Sequence, residues 1–199
     1  MVLFNYAEYG LMVDWCRKVM DEETVAFVSR LPTEEMEALE VSGYAWDHRS
    51  KFKSYQTVHY PQFDLNYDIV PNQTFDIIFA GQVLEHVRYP YRAIRNIYRM
   101  LRPSGWFIVT TPFLIHIHMG KMDYTRWSPE GLKYLLEEGG FETEKMLIGS
   151  WGNRECAIAD FNRCAEGNGW HVYDQNSHNL TNEPDYPIVV WAFAQRADY

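Results

Sequence analysis

The apolar positions between Phe75 and Ala80 run together as FDIIFA, without the strict alternation of a half-exposed strand. Such a run suits a strand covered on both faces, as in a parallel sheet. It meets a polar turn at Gly81-Gln82 and then Glu85-His86. Beyond Arg88 the period changes. Ile94, Ile97, Tyr98 and Leu101 recur at i, i+3, i+4 and i+7, while Arg88, Arg92, Arg95, Arg99 and Arg102 lie on or near the other face, which predicts an amphipathic helix. Pro103-Ser104-Gly105 predicts its end, and Trp106 to Thr111 reads as a second buried strand. Strand, helix and strand at these spacings predict a right-handed crossover, and sheets built this way bind ligands outside the carboxyl ends of their strands. Gln82, Glu85 and His86 fall at that rim.

The remaining pattern predicts one helix over about Tyr6 to Met20 and another over Glu22 to Arg30, ended at Leu31-Pro32. Ala38 to Val41 reads as a short strand leading to Ser42-Gly43, and Ser54 to Tyr60 as another closed by Pro61. Ser128-Pro129 supplies a cap and a first-turn proline for a helix with Leu132, Leu135 and Leu136 inside and Gly139-Gly140 at its end. Strands are expected over Phe141 to Ile148 and Ile188 to Gln195, with a helix from Asn153 to Ala165 and a long loop from Glu166 to Pro187 between them. Loops of that length are usually a lid, a partner surface or disorder. No repeat or linker divides the 199 residues, so a single domain is expected: helices over 1–36, a core over 37–148, and a helix, loop and strand over 149–199.

Composition narrows the classes. Hydrophobic residues make up 47% and aromatic residues 16%, too many for a disordered interaction protein. A net charge of −9 argues against nonspecific nucleic-acid binding, which needs a basic surface. The arginine stripe reads more readily as a solvated helix face than as a binding patch. Cys16, Cys156 and Cys164 are odd in number and form no CxxC pair, so neither a disulfide framework nor a zinc cluster is indicated and a cytoplasmic setting fits. The first twenty residues carry Glu8, Asp14, Arg17 and Lys18 and read as neither a secretory signal nor a membrane span.

VLEHV, the strand FDIIFA before it, the segment YRMLRPSGW and the strand closing TTP resemble the central part of class I S-adenosylmethionine-dependent methyltransferases, of the type 11-like small-molecule group. The resemblance covers roughly Ala38 to Phe141. It implies an α/β fold with a Rossmann-like, mostly parallel sheet flanked by helices and an antiparallel C-terminal strand pair. It also implies S-adenosyl-L-methionine as methyl donor and a small-molecule acceptor. Two departures stand out. LEVSGY, at Leu39 to Tyr44, keeps only Gly43 of the family's glycine-rich turn, and about thirty-five residues separate Glu40 from Phe75 where the family fits two βα units. The first half of the sheet is therefore expected to be abbreviated.

On this resemblance Glu40, Ser42, Gly43, Gln82, Val83 and Glu85 would line the donor site. The carboxylate that accepts the ribose hydroxyls normally ends the second strand; Asp64 is the candidate, with Asp47 and Asp68 in reserve. His86 reads either as a group facing the acceptor or as a packed helix-start residue. His116-Ile117-His118 alternates, so an extended segment would put both imidazoles on one side, with Asp123 nearby. These groups suit a general base, tested in the order His118, His86, Asp123, more readily than a metal site, and no metal is expected. Arg126 and Trp127 would contact a small polar acceptor, and Trp151 either closes that pocket or leads into a helix capped by Asn153. O-methylation is expected ahead of N-methylation. The competing reading is a noncatalytic relative that kept the scaffold and binds a ligand or partner. A dehydrogenase is opposed by the absence of GxGxxG. No membrane or nucleic-acid partner is expected, and the exposed aromatics and N-terminal helices would serve either a homodimer or a cover for the sheet.

Overall fold

The computed structural model describes residues 15–118, 122–165 and 179–198. Six strands form one sheet: β1 (Glu37–Val41), β2 (Ser54–Val58), β3 (Phe75–Gly81), β4 (Leu101–Pro112), β5 (Met146–Trp151) and β6 (Val189–Gln195), in the order β2-β1-β3-β4-β6-β5. The pairs β1–β2, β1–β3 and β3–β4 are parallel, and β6 runs antiparallel to both β4 and β5. The carboxyl ends of β1, β3 and β4 consequently share one rim. The expected abbreviation is plain: only α2, the four residues Trp46–Arg49, lies between β1 and β2, and no helix or strand lies between β2 and β3.

Alternation along each strand divides the core into two layers. Ile78 and Ala80 of β3, Phe107 and Val109 of β4, and Val190, Ala192 and Ala194 of β6 pack under α3 (Pro90–Met100) and α4 (Pro129–Gly139). Ile77, Phe79, Ile108, Val189, Trp191 and Phe193 face the other way, against α1 (Trp15–Val28) and α5 (Arg154–Ala165). Helices on both faces explain why FDIIFA carries almost no polar position.

α3 buries Ala93, Ile94, Ile97 and Met100, the face that the period of Ile94 and Ile97 predicts. Arg88 and Arg92 lie over the Tyr89 ring, and Arg102 bonds Asp76 at 2.6 Å and Glu37 at 2.7 Å. α4 starts as its sequence predicts: the Ser128 hydroxyl accepts from the Gly131 N–H at 3.1 Å, and Gly140 caps the other end with φ 112°.

Three boundaries differ from expectation. α1 continues through Asp21-Glu22 instead of breaking there, because Cys16, Met20, Thr24 and Val28 keep one buried face while Asp21 pairs with Arg49 of α2 and Glu22 is exposed. The part predicted over Tyr6 to Asp14 lies outside the described residues, as does most of the loop after Ala165. Pro103-Ser104-Gly105 does not separate helix from strand. The ladder already begins at Leu101, opposite Phe75, and resumes at Trp106 opposite Ile77, with Ser104 at φ 61°. The strand expected over Phe141 to Ile148 is instead Met146–Trp151, because Phe141 is drawn into the end of α4, its N–H donating to Leu136 O at 3.1 Å, and a 3₁₀ turn follows at Thr143–Lys145.

Candidate active site

The rim is shaped first by the turn after β1. Glu40 is buried, and its carboxylate accepts from the Ala45 N–H at 3.1 Å, the Trp46 N–H at 2.9 Å and the Tyr55 hydroxyl at 2.6 Å. Burial and this carboxylate together push the Tyr55 phenol well above its ordinary pKa, so it stays a donor. Gly43 lies against the same group: a Cβ added there would sit 2.0 Å from Glu40 Oε1. Glu40 thus organises the turn from beneath, and the glycine is required by the protein's own side chain. Ser42, at φ 59°, carries the left-handed conformation, and its N–H donates to Val58 O at 2.8 Å.

β3 leaves the sheet in a matching way. Gln82 has φ 57°, its N–H donates to Thr110 O at 2.9 Å, and its side chain reaches Thr110 Oγ1 at 3.2 Å and Met20 Sδ of α1 at 3.6 Å. Glu40 pairs in register with Phe79, which sets residues 42–43 beside 81–82 across the rim. There the surface is open: a Cβ on Gly81 would meet only Thr110 Oγ1, at 3.7 Å. Ser42, Gly43, Gly81 and Gln82 therefore make the open part of the rim, with Val83 packed into the core behind them.

The end of β2, where a ribose carboxylate is expected, is occupied differently. β2 runs into His59, whose ring stacks on Tyr44 with centroids 4.5 Å apart, and no carboxylate stands at that strand end. Asp64 lies further on and accepts from Asn66 N at 2.9 Å and Asn66 Nδ2 at 2.6 Å. Asn66 in turn accepts from Tyr89 N at 2.8 Å, which ties this turn to the start of α3. Asp68 accepts from Asp64 N at 2.6 Å, and Asp47 lies in the first turn of α2.

Beyond Gln82 a 3₁₀ turn over Leu84–His86 carries the densest chemistry at the rim. Residues 122–126 fold back onto it: the Tyr124 N–H donates to Glu85 O at 2.7 Å and the Thr125 hydroxyl to Leu84 O at 3.2 Å. The Glu85 side chain has 0% exposure, and among the described residues neither carboxylate oxygen has a hydrogen-bond partner. Burial pushes this carboxyl above its usual range. His86 Nε2 stands 3.7 Å from Glu85 Oε1, and its ring lies 4.9 Å, centroid to centroid, from that of His118. Asp123 Oδ2 accepts from the His118 N–H at 2.9 Å and lies 3.4 Å from His118 Nδ1. Burial acts to raise the Asp123 carboxyl, but a bidentate pair with Arg126 and the His118 N–H outweigh it and hold the group below its usual range. One ligand-capable atom each from Glu85, His86 and His118 falls within a span of 4.8 Å.

Several expectations change. His116 and His118 do not share a side, because the segment leaves the sheet at Pro112: His116 Nδ1 is 3.1 Å from Asp160 Oδ2 on α5, while His118 turns to Asp123. Arg126 is engaged by Asp123 and by the backbone oxygens of Thr125 and His116. Trp127 is half-buried beside Tyr91, ring centroids 6.5 Å apart. Trp151 is 4% exposed inside the layer under α1 and α5, so it is core at this point, while Asn153 caps α5 by accepting from Cys156 N at 2.8 Å. Asp160 escaped the sequence reading, although an acid four residues after Cys156 on a helix face is a signal of the buried kind. A groove between α1 and β5–β6, lined by Glu23, Phe27, Arg30, Ser150 and Trp191 among others, contains none of the predicted site residues.

Comparisons with known proteins give a consistent result. A family model described as a methyltransferase domain matches residues 8–145. A probable S-adenosylmethionine-dependent methyltransferase of Mycolicibacterium smegmatis is 31% identical over a stretch covering 44% of this chain and 38% of that protein, so the chain spans well under half of this relative. Among solved structures, an S-adenosylmethionine-dependent methyltransferase of Mesorhizobium loti is similar at TM-score 0.53 and 14% identity, covering 89% of this chain and 98% of the other. Phosphoethanolamine N-methyltransferase 2 of Haemonchus contortus, in complex with S-adenosyl-L-methionine, has TM-score 0.53 at 13% identity over 88% of this chain and 52% of its own. An S-adenosylmethionine-dependent methyltransferase from Archaeoglobus fulgidus reaches TM-score 0.52 at 13% identity, with 94% of this chain and 99% of the other covered. At these identities the structural likeness speaks for the fold alone.

Proposed function

Because the chain belongs to the methyltransferase-domain family of S-adenosylmethionine-dependent enzymes, we propose that it transfers the methyl group of S-adenosylmethionine to a small polar acceptor, through oxygen ahead of nitrogen. The donor supplies an already activated sulfonium methyl, so the protein's task is chiefly to hold the acceptor atom in line and dispose of its proton. Ser42, Gly43, Gly81 and Gln82 are the residues assigned to the donor. Glu85, His86 and His118 face the acceptor, and the observation that carries this reading is their convergence on one spot beside the strand ends.

Oxygen is favoured because a hydroxyl must lose a proton as it reacts, and imidazoles near neutral pKa suit that transfer. His118 is the first candidate and His86 the second. Asp123, held below its usual range by Arg126, is a weak proton acceptor and is better assigned to orienting His118. Arg126 acts through Asp123 in the same way, and Trp127 remains the candidate for acceptor contact.

The test is transfer of isotopically labelled methyl from S-adenosylmethionine to a panel of hydroxyl- and amine-bearing small molecules. His118→Ala should lower kcat by about 10²–10⁴-fold, as loss of a general base does, with S-adenosylhomocysteine affinity unchanged. A wild-type rate in that variant removes His118 from the reaction.

A further inference from the structure

We propose that Glu85, His86 and His118 form a binding site for one divalent transition-metal ion at the carboxyl end of β3. Their ligand atoms lie within 4.8 Å of one another. Neighbouring ligands sharing an ion at about 2.1 Å stand roughly 3.0–3.4 Å apart and opposite ones about 4.2 Å, so side-chain rotations that move the ligand atoms by up to about an ångström complete the set.

Three observations distinguish this group from a chance meeting of polar residues. The Glu85 carboxyl is wholly buried and both its oxygens lack hydrogen bonds among the described residues. Buried carboxyls are normally satisfied, and a cation is the partner whose charge answers this one. Next, His86 Nδ1 lies 2.5 Å from Met122 O. A carbonyl oxygen only accepts, so Nδ1 carries a proton, and Nε2, 3.7 Å from Glu85 Oε1, is the nitrogen on the side of the cluster. Finally, Asp123 is fixed by Arg126 and stands 3.4 Å from His118 Nδ1. Carbonyl and carboxylate partners on the far nitrogens are the means by which ligating imidazoles are oriented.

The donor set narrows the ion. Two imidazoles and one carboxylate suit Mn²⁺, Co²⁺ or Zn²⁺, whereas Mg²⁺ and Ca²⁺ favour oxygen throughout. Three protein ligands also leave positions open for a substrate oxygen. The site stands on its own geometry; its use rests on the transferase reading above. In that use the acceptor is an alcohol or phenol, and two adjacent hydroxyls could chelate the ion. A hydroxyl bound to the cation gives its proton to water. Its oxygen then forms the new O–C bond as the S–C bond breaks, and the donor's sulfur departs as a neutral thioether. In the ion-loaded protein His118 is a ligand and the cation activates the hydroxyl, so the proton-accepting role given to His118 above belongs to the ion-free protein.

The experiment uses the full chain, stripped with a chelator and titrated with Co²⁺, read by visible absorption, and with Mn²⁺, read by loss of the free-ion paramagnetic resonance signal. One saturable equivalent is expected, with bands of imidazole-ligated Co²⁺. His86→Ala and His118→Ala should each weaken binding by at least about 100-fold, and circular dichroism should show both folded. Glu85→Gln should do the same where it folds. Absence of saturable binding of either ion, or variants that bind as the wild type does, would overturn the site. S-adenosylhomocysteine is titrated in parallel. Ion binding without it removes the transferase reading and leaves the site standing, while nucleoside binding without the ion does the reverse.

Discussion

Gly43 shows how a single position can mislead and then inform. In the sequence it is the remnant of a glycine-rich donor turn. In the structure the atom that forbids a side chain is Glu40 Oε1, 2.0 Å from where a Cβ would stand. The turn is therefore held by an internal carboxylate bonded to two N–H groups and the Tyr55 hydroxyl, with Ser42 supplying the left-handed residue. Gly43→Ala is expected to destabilise the protein by about 1–3 kcal/mol, the usual cost of overpacking. In the Glu40→Ala background the same change should cost much less, because the clashing group is gone. Urea denaturation of the four proteins measures that coupling, and additive effects would show that the glycine answers to something else. Glu85 is the converse case. VLEHV marked it as rim chemistry, but nothing in the sequence said that its carboxyl would be buried with no hydrogen bond among the described residues, since that depends on residues 122–126 folding back.

The elements were legible where local chemistry agrees with burial. FDIIFA reads as a strand and is one, α3 buries the stripe that its 3.6 period draws, and α4 is bounded by Ser128-Pro129 and Gly140 as its caps dictate. The misread boundaries are those set by distant partners. Leu101 joins the sheet because Phe75 is there to pair with it, and β5 starts at Met146 because its partner Ala194 lies opposite. His116 and His118 diverge because their carboxylates sit on different segments, Asp160 on α5 and Asp123 in the returning loop. The seam between α3 and α4 offers a test of packing. A Cβ at Gly139 would lie 2.1 Å from Ile94 Cγ2. Gly139→Ala should lower stability by about 1–3 kcal/mol through overpacking, against the roughly 1 kcal/mol by which helix propensity favours alanine. A melting temperature at or above that of the wild type would mean that the two helices separate freely.

Taken together, the sheet order β2-β1-β3-β4-β6-β5, with β6 reversed, gathers residues 42–43 and 81–82 and the Glu85, His86 and His118 group at one end of the parallel strands. The opposite end is fastened by Arg102 to Glu37 and Asp76. That division, structural ion pairs at one end and converging titratable groups at the other, is what open α/β sheets impose when ligands bind beyond their carboxyl ends. What the short first half removes is the usual seat for a ribose carboxylate: β2 ends beside His59 and Tyr44, and the acids of the following loop are tied to α3. Donor binding is thus the property on which the transferase reading depends most. Calorimetric titration of the full chain with S-adenosylhomocysteine measures it directly: one saturable site of micromolar affinity is expected, and a flat titration at millimolar nucleoside would contradict donor binding.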